Sequence, residues 1–181
     1  MSRTALLLMD FQNAHATRVD PTALTQAAAA LKTAREKGVL VIHVALRLLP
    51  GHVDGHPNNK VFGKLPADRF VPGDPDAEIH PDVAPADDEI VLYKNRVSAF
   101  AGTNLDQILR AQGIGHLALA GIATGGIVLS TALQAIDLDY QFTALSDACA
   151  DPNPEFHEVL LRDLLNRRGE VATVEEWAAT L

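Results

Sequence analysis

Asp10 and Lys94 are the charged residues that most directly follow strand-like apolar runs. Asp10 closes Ala5-Leu6-Leu7-Leu8-Met9, and Lys94 closes Glu89-Ile90-Val91-Leu92-Tyr93. Buried charge is costly unless paired, so the two either brace neighbouring strands as an ion pair or form the polar centre of a reaction site. A third feature is Gly121-Ile122-Ala123-Thr124-Gly125-Gly126-Ile127, which joins a strand-like to a helix-like segment through small residues. Backbone N–H groups in such a turn can hold an anion or a developing oxyanion. The turn is neither G-x-G-x-x-G, nor G-x-x-x-x-G-K-[ST], nor the G-x-S-x-G of a hydrolase elbow. Thr124 is the only nucleophile-capable side chain within it. Cys149 is the one cysteine, so an internal disulfide and a cysteine-based zinc site are excluded, a reducing cytoplasm fits, and any thiol chemistry must use it.

The elements that must carry these residues alternate. Mostly apolar segments at 5–9, 39–45, 89–93, 116–120 and 141–145 read as strands, with a candidate sixth at 170–174. Between them, helical spacing covers 21–37, 104–112, 126–136 and 154–166, with Leu129, Leu133 and Ile136 on one face of the third. This is an α/β pattern: a three-layer, Rossmann-like, doubly wound sheet of about six mostly parallel strands, in one domain over 1–181. Sites in such sheets gather beyond the carboxyl ends of the strands, where Asp10, Lys94 and the glycine turn fall. The 181 residues are 48% hydrophobic, enough for a packed core, and only 5% aromatic. A net charge of −8 without a basic stripe argues against nucleic acid or an anionic membrane surface. The run 5–9 is too short for a signal-peptide core, and no stretch approaches a membrane span. The least regular segment, 49–88, holds most of the prolines and reads as a functional loop or a surface excursion.

Four segments together resemble a known family. Asp10-Phe11-Gln12-Asn13 is similar to the D-x-Q-N opening of the isochorismatase-like hydrolases, and Lys94 with Arg96-Val97-Ser98-Ala99-Phe100 to their lysine segment. Gly121-Ile122-Ala123-Thr124 resembles their G-[VI]-A-T turn, and Ser146-Asp147-Ala148-Cys149-Ala150-Asp151 their D-A-x-A segment. The resemblance implies the six-stranded α/β fold and, from the amidase members, a triad of Asp, Lys and Cys. The first two carry over to Asp10 and Lys94. The third falls on Ile127, counting the turn against G-V-A-T-D-x-C, while Cys149 lies one helix and one strand later. A cis peptide at Ile122–Ala123 is implied too, with the amides of Ala123 and Ile127 as the oxyanion site.

Isoleucine offers no lone pair, so three readings stay open. One is a hydrolase without a covalent intermediate, as in true isochorismatases, with Asp10 as general acid or base and Lys94 as its electrostatic partner. Another is a small-molecule- or partner-binding member of the fold, and the last is an amidohydrolase using Cys149. For a small, anionic substrate the expected contacts are Gln12, Thr124, Phe100 and the arginines Arg47, Arg69 and Arg96, with Phe62 and Phe70 as further lining. Some nicotinamidases bind a metal through Asp-x-His. Asp54-Gly55-His56 has that spacing, with His52 nearby, but a polar surface loop explains these residues better, and no metal or cofactor is expected. The family resemblance and the Ala-rich helices imply a homodimer or larger.

Overall fold

The computed structural model describes residues 3–181. β1 (Arg3–Met9) is flanked by β2 (Leu40–Leu46) and β4 (Ile114–Ile122), and the sheet runs β3-β2-β1-β4-β5-β6 with every pairing parallel. Here β3 is Ile90–Lys94, β5 is Gln141–Ala150 and β6 is Glu170–Ala172. The direction of winding reverses between β1 and β4, which makes their carboxyl ends the switch point where ligands enter such sheets.

Side-chain alternation along the strands builds two cores. Ala5, Leu7 and Met9 of β1 face α3 (Leu105–Ala111) and α4 (Leu129–Asp137), together with Leu161 and Leu165. Leu6 and Leu8 face α2 (Thr22–Lys37) and α6 (Val174–Ala178), where Ala27, Ala30, Leu31, Ala34 and Trp177 pack. Small alanines on α2 let the helix lie close to the sheet, and Gly38 ends it at φ 66°.

Three sequence expectations need correction. β5 extends past 145 to Ala150, because its ladder slips: Leu119 faces Ala144, whereas Gly121 faces Cys149. The polar residues in the slip are tied elsewhere, Ser146 Oγ donating to Ala172 O at 3.2 Å and Asp147 accepting from Val174 N at 2.8 Å. On α4 the buried residues are Thr131, Ala132 and Ala135, while Leu133 is exposed. A wide turn over Thr124–Val128 resets the helix phase, and Thr131 Oγ1 accepts from Ala99 N at 3.0 Å, drawing that face inward. The 154–166 helix is α-helical only over Pro154–Val159 (α5), then widens over Leu160–Leu164 and tightens over Leu165–Arg167. Sequence periodicity also misses α6 and the one-turn α1 (Asn13–Ala16), both too short to show a period.

The amino-terminal edge of the sheet is fastened by Glu89. Its carboxylate accepts from Arg35 Nε at 2.7 Å and Nη2 at 2.9 Å, from buried His43 Nε2 at 2.9 Å and from Ala86 N at 2.9 Å. Arg35, against burial, holds the Glu89 carboxyl down at about 2, from an ordinary 4.5. A depressed carboxyl contributes stability above its unfolded value that is lost as pH falls through the folded one. Thermal melts should therefore show stability declining between about pH 4.5 and about pH 2. Glu89→Gln should make that decline shallower and lower stability at neutral pH by roughly 2 kcal/mol, after allowance for the exposed side of Arg35.

Candidate active site

Asp10 leaves β1 with φ 57°, a conformation that asparagine and aspartate tolerate better than other non-glycine residues. The bend turns its carboxyl over the strand ends, while Asp10 N stays bonded to Val44 O at 2.8 Å. Lys94 ends β3, two strands away, so its long stem must pass the end of β2 to reach Asp10. Lys94 Nζ lies 2.9 Å from Asp10 Oδ2, and both residues are buried, at 2% and 6% exposed. Asp10 Oδ1 is buried with no hydrogen-bond partner among the described residues. A half-satisfied buried carboxylate carries a desolvation cost that a donor placed against Oδ1 would relieve.

The pair lines a cavity of about 180 Å³ whose opposite wall is the turn after β4. The Ile122–Ala123 peptide is cis, and Ala123, Gly126 and Ile127 all face the cavity. Gly121, opposite Met9 in the ladder, makes this approach possible: a Cβ there would stand 2.9 Å from Met9 O. From the loop, Val61 and Phe62 close the cavity, with Leu46 and Val97 adding to its apolar lining. Carbonyl chemistry needs a proton acceptor, an oxyanion site and a dry wall, and the cavity brings a carboxylate, a turn of small residues and apolar side chains together.

Several residues expected to touch substrate do other work. Gln12 is fully buried: its Nε2 donates to Leu46 O and Ala77 O, and its Oε1 accepts from Leu46 N at 2.8 Å. With Asn13 Nδ2 on Pro75 O at 2.9 Å, it clamps the 49–88 loop to the strand ends. Arg47 stacks its guanidinium 3.2 Å over the Tyr93 ring, Arg69 pairs with Asp76, and Arg96 donates to Asp54 O and Asn95 O. None of the three lines the cavity. Phe100 belongs to the α3–α4 core, stacked on Tyr140 at 5.9 Å. Thr124 is fully buried, with Oγ1 2.7 Å from His157 Nδ1, and stays behind the turn. Charge and size alone could not show where these side chains point.

Phe62 does line the cavity, and Phe70 packs beside it in the loop's own small core. Two polar lining residues escaped the sequence reading, His15 and Arg18, five and eight positions after Asp10. His52 Nε2 donates to Arg69 O, Asp54 accepts from Leu49 N and Asn95 Nδ2, and His56 Nδ1 accepts from Asn58 N. His52 and Asp54 thus tie distant segments together and His56 shapes its own turn, and among the described residues the three form no shared cation site.

Cys149 sits elsewhere. Its Sγ donates to Leu119 O at 3.4 Å, and burial pushes the thiol up to about 12. It lines a second cavity of about 600 Å³ that shares no residue with the first.

Comparison with known proteins decides the family. Residues 4–176 match the isochorismatase domain. The chain belongs to the isochorismatase family. Within the family, it is 33% identical to the maleamate amidohydrolase of Pseudomonas putida, over 96% of this chain and 84% of the relative. It is 32% identical to the ureidoacrylate amidohydrolase of Caulobacter vibrioides, over 98% and 90%. Among solved structures, an isochorismatase family protein from Desulfovibrio vulgaris superposes with a TM-score of 0.89 at 28% identity, over 99% of this chain and 98% of the other. A cysteine hydrolase from Pseudomonas syringae superposes with a TM-score of 0.87 at 26% identity, over 98% and 91%. The chain is thus a hydrolase on the isochorismatase-like fold, and no helix among its described residues is long and apolar enough to cross a membrane.

Proposed function

We propose that the protein hydrolyses the C–N bond of a small carboxylate-bearing amide or ureide with water, not a cysteine, as the nucleophile. The observation that carries this reading is Asp10: Oδ2 is held by Lys94, and Oδ1 is left as a buried, unpartnered acceptor beside the turn. Ile127 stands where the family pattern places a thiol, and an isoleucine side chain cannot form an acyl-enzyme. Oδ1 takes a proton from water as the water oxygen bonds to the carbonyl carbon. The carbonyl π pair moves onto oxygen, which the Ala123 and Ile127 amides stabilise. Collapse of that oxyanion re-forms the C=O bond and breaks the C–N bond, and the departing nitrogen takes the proton back from Asp10. Lys94 keeps a positive charge beside the carboxylate throughout and orients it. Arg18, at the exposed lip of the cavity, is the arginine placed to meet an anionic end of the substrate. The amide-acid and ureido-acid substrates named for the two amidohydrolase relatives support this class.

The test is a panel of maleamate, ureidoacrylate and a vinyl ether acid, assayed with the wild type and Cys149→Ser. Release of ammonia or of the ureide nitrogen by both proteins supports the proposal. Turnover of the vinyl ether alone, or of nothing in the panel, contradicts it.

A further inference from the structure

We propose that His15 is the residue that selects N–H-bearing substrates, accepting a hydrogen bond from the scissile amide or ureide nitrogen through Nε2. This rests on the hydrolase reading above and goes beyond it by distinguishing amides from esters and vinyl ethers of the same acid. The geometry fixes which ring nitrogen accepts. His15 Nδ1 lies 3.1 Å from the backbone carbonyl of Asp10. A carbonyl only accepts, so Nδ1 carries a proton. Burial holds the imidazole below its ordinary value, against the opposing pull of Asp10, while Lys94 and Arg18 also act to lower it. The ring is therefore neutral near pH 7, and its remaining nitrogen is a bare lone pair.

The ring is also held still. Phe70 stacks on it at 5.2 Å between centroids and 20° between planes. Phe70 is fixed in turn by Leu48 N on its carbonyl at 2.7 Å and by Asp74 Oδ2 on its amide at 2.7 Å. Nε2 has no hydrogen-bond partner among the described residues, and His15 lines the same cavity as Asp10, Lys94, Ala123 and Ile127. The cavity thus offers donors to the carbonyl oxygen and a fixed acceptor for a neighbouring N–H. An ester or vinyl ether oxygen would meet that acceptor lone pair to lone pair, leaving His15 unsatisfied.

The experiment compares maleamate with monomethyl maleate in the wild type, His15→Phe and His15→Gln. Phenylalanine keeps the stack on Phe70 without an acceptor, and glutamine restores one. The readout is kcat/KM where a probe turns over and the calorimetric Kd where it does not, so failed hydrolysis leaves the selectivity measurable. The wild type should prefer the amide, His15→Phe should lose about tenfold of that preference, and His15→Gln should regain part of it. Protonating Nε2 turns it into a donor, so the amide preference should also fall at acid pH in the wild type and stay flat in His15→Phe. The same preference in the wild type and His15→Phe overturns the proposal, as does a wild type with no preference. A parallel loss on both probes assigns His15 to packing and overturns it too.

Discussion

Asp10→Asn should lower kcat/KM by about a thousandfold, the usual scale for removing a positioned proton carrier. The substitution isolates chemistry from shape. Asparagine has nearly the same volume and tolerates φ 57°, so the backbone bend after β1 survives. The amide has no comparable basicity, so water is no longer deprotonated as it attacks. The change also takes the counter-charge from Lys94, which is 2% exposed. Breaking a buried pair costs about 3–5 kcal/mol when the remaining charge stays ionised. A melting point lower by roughly 10 °C should therefore accompany the loss of activity. Activity should be measured well below that melting point, with circular dichroism confirming the fold. A folded Asp10→Asn enzyme within about tenfold of wild type would remove Asp10 from the chemistry.

The second large effect concerns the backbone that brings the two sides of the cavity together. In Gly121→Ala, the new Cβ would stand 2.9 Å from Met9 O, 3.1 Å from Met9 Cβ and 3.2 Å from Val128 Cγ2. Met9 precedes Asp10 and Val128 ends the turn, so the methyl wedges apart the two sides of the cavity. Overpacking at backbone contacts of this kind should cost about 3 kcal/mol and lower the melting point by roughly 6–12 °C. Activity should fall beyond what the unfolded fraction explains, because Asp10 and the Ala123 amide separate. Gly125→Ala is the control. Its Cβ would collide mainly with the Phe156 ring, at 2.5 Å, but that residue is 45% exposed and can swing outward. Scanning calorimetry on the two variants should give the larger drop for Gly121→Ala, and the reverse order would contradict this account of the turn.

The layered fold was legible because strands buried on both faces leave unbroken apolar runs, and 5–9 or 117–120 resemble little else. Asp10 and Lys94 stood out for the same reason, as charges placed directly where such runs stop. The slip in β5 was hidden because Ser146 and Asp147 look like a strand end until Ala172 and Val174 are seen to hold them. Gln12 was read as a ligand contact, yet its partners, Leu46 and Ala77, lie 34 and 65 residues away and no local pattern announces them. The arginines failed similarly: Arg47 is directed by Tyr93, and Arg69 by its acidic neighbours. His15 did carry a usable signal, since a helical turn just after Asp10 returns toward the same strand end. That turn is only four residues long, too short for periodicity to show.

The central claim is that hydrolysis here proceeds without a thiol, and Cys149→Ser tests it most directly. Cys149 is 3% exposed and lines a different cavity from Asp10. Burial pushes its thiol up to about 12, so at pH 7 the group is held as the un-ionised thiol, the poor nucleophile. A serine hydroxyl can replace the thiol's hydrogen bond to Leu119 O, so the fold should persist. The decisive number is kcat/KM of Cys149→Ser on the amide or ureide that the wild type hydrolyses. A value indistinguishable from wild type is the expected result. A folded Cys149→Ser protein slower by about a thousandfold or more, as loss of a nucleophile produces, would contradict it.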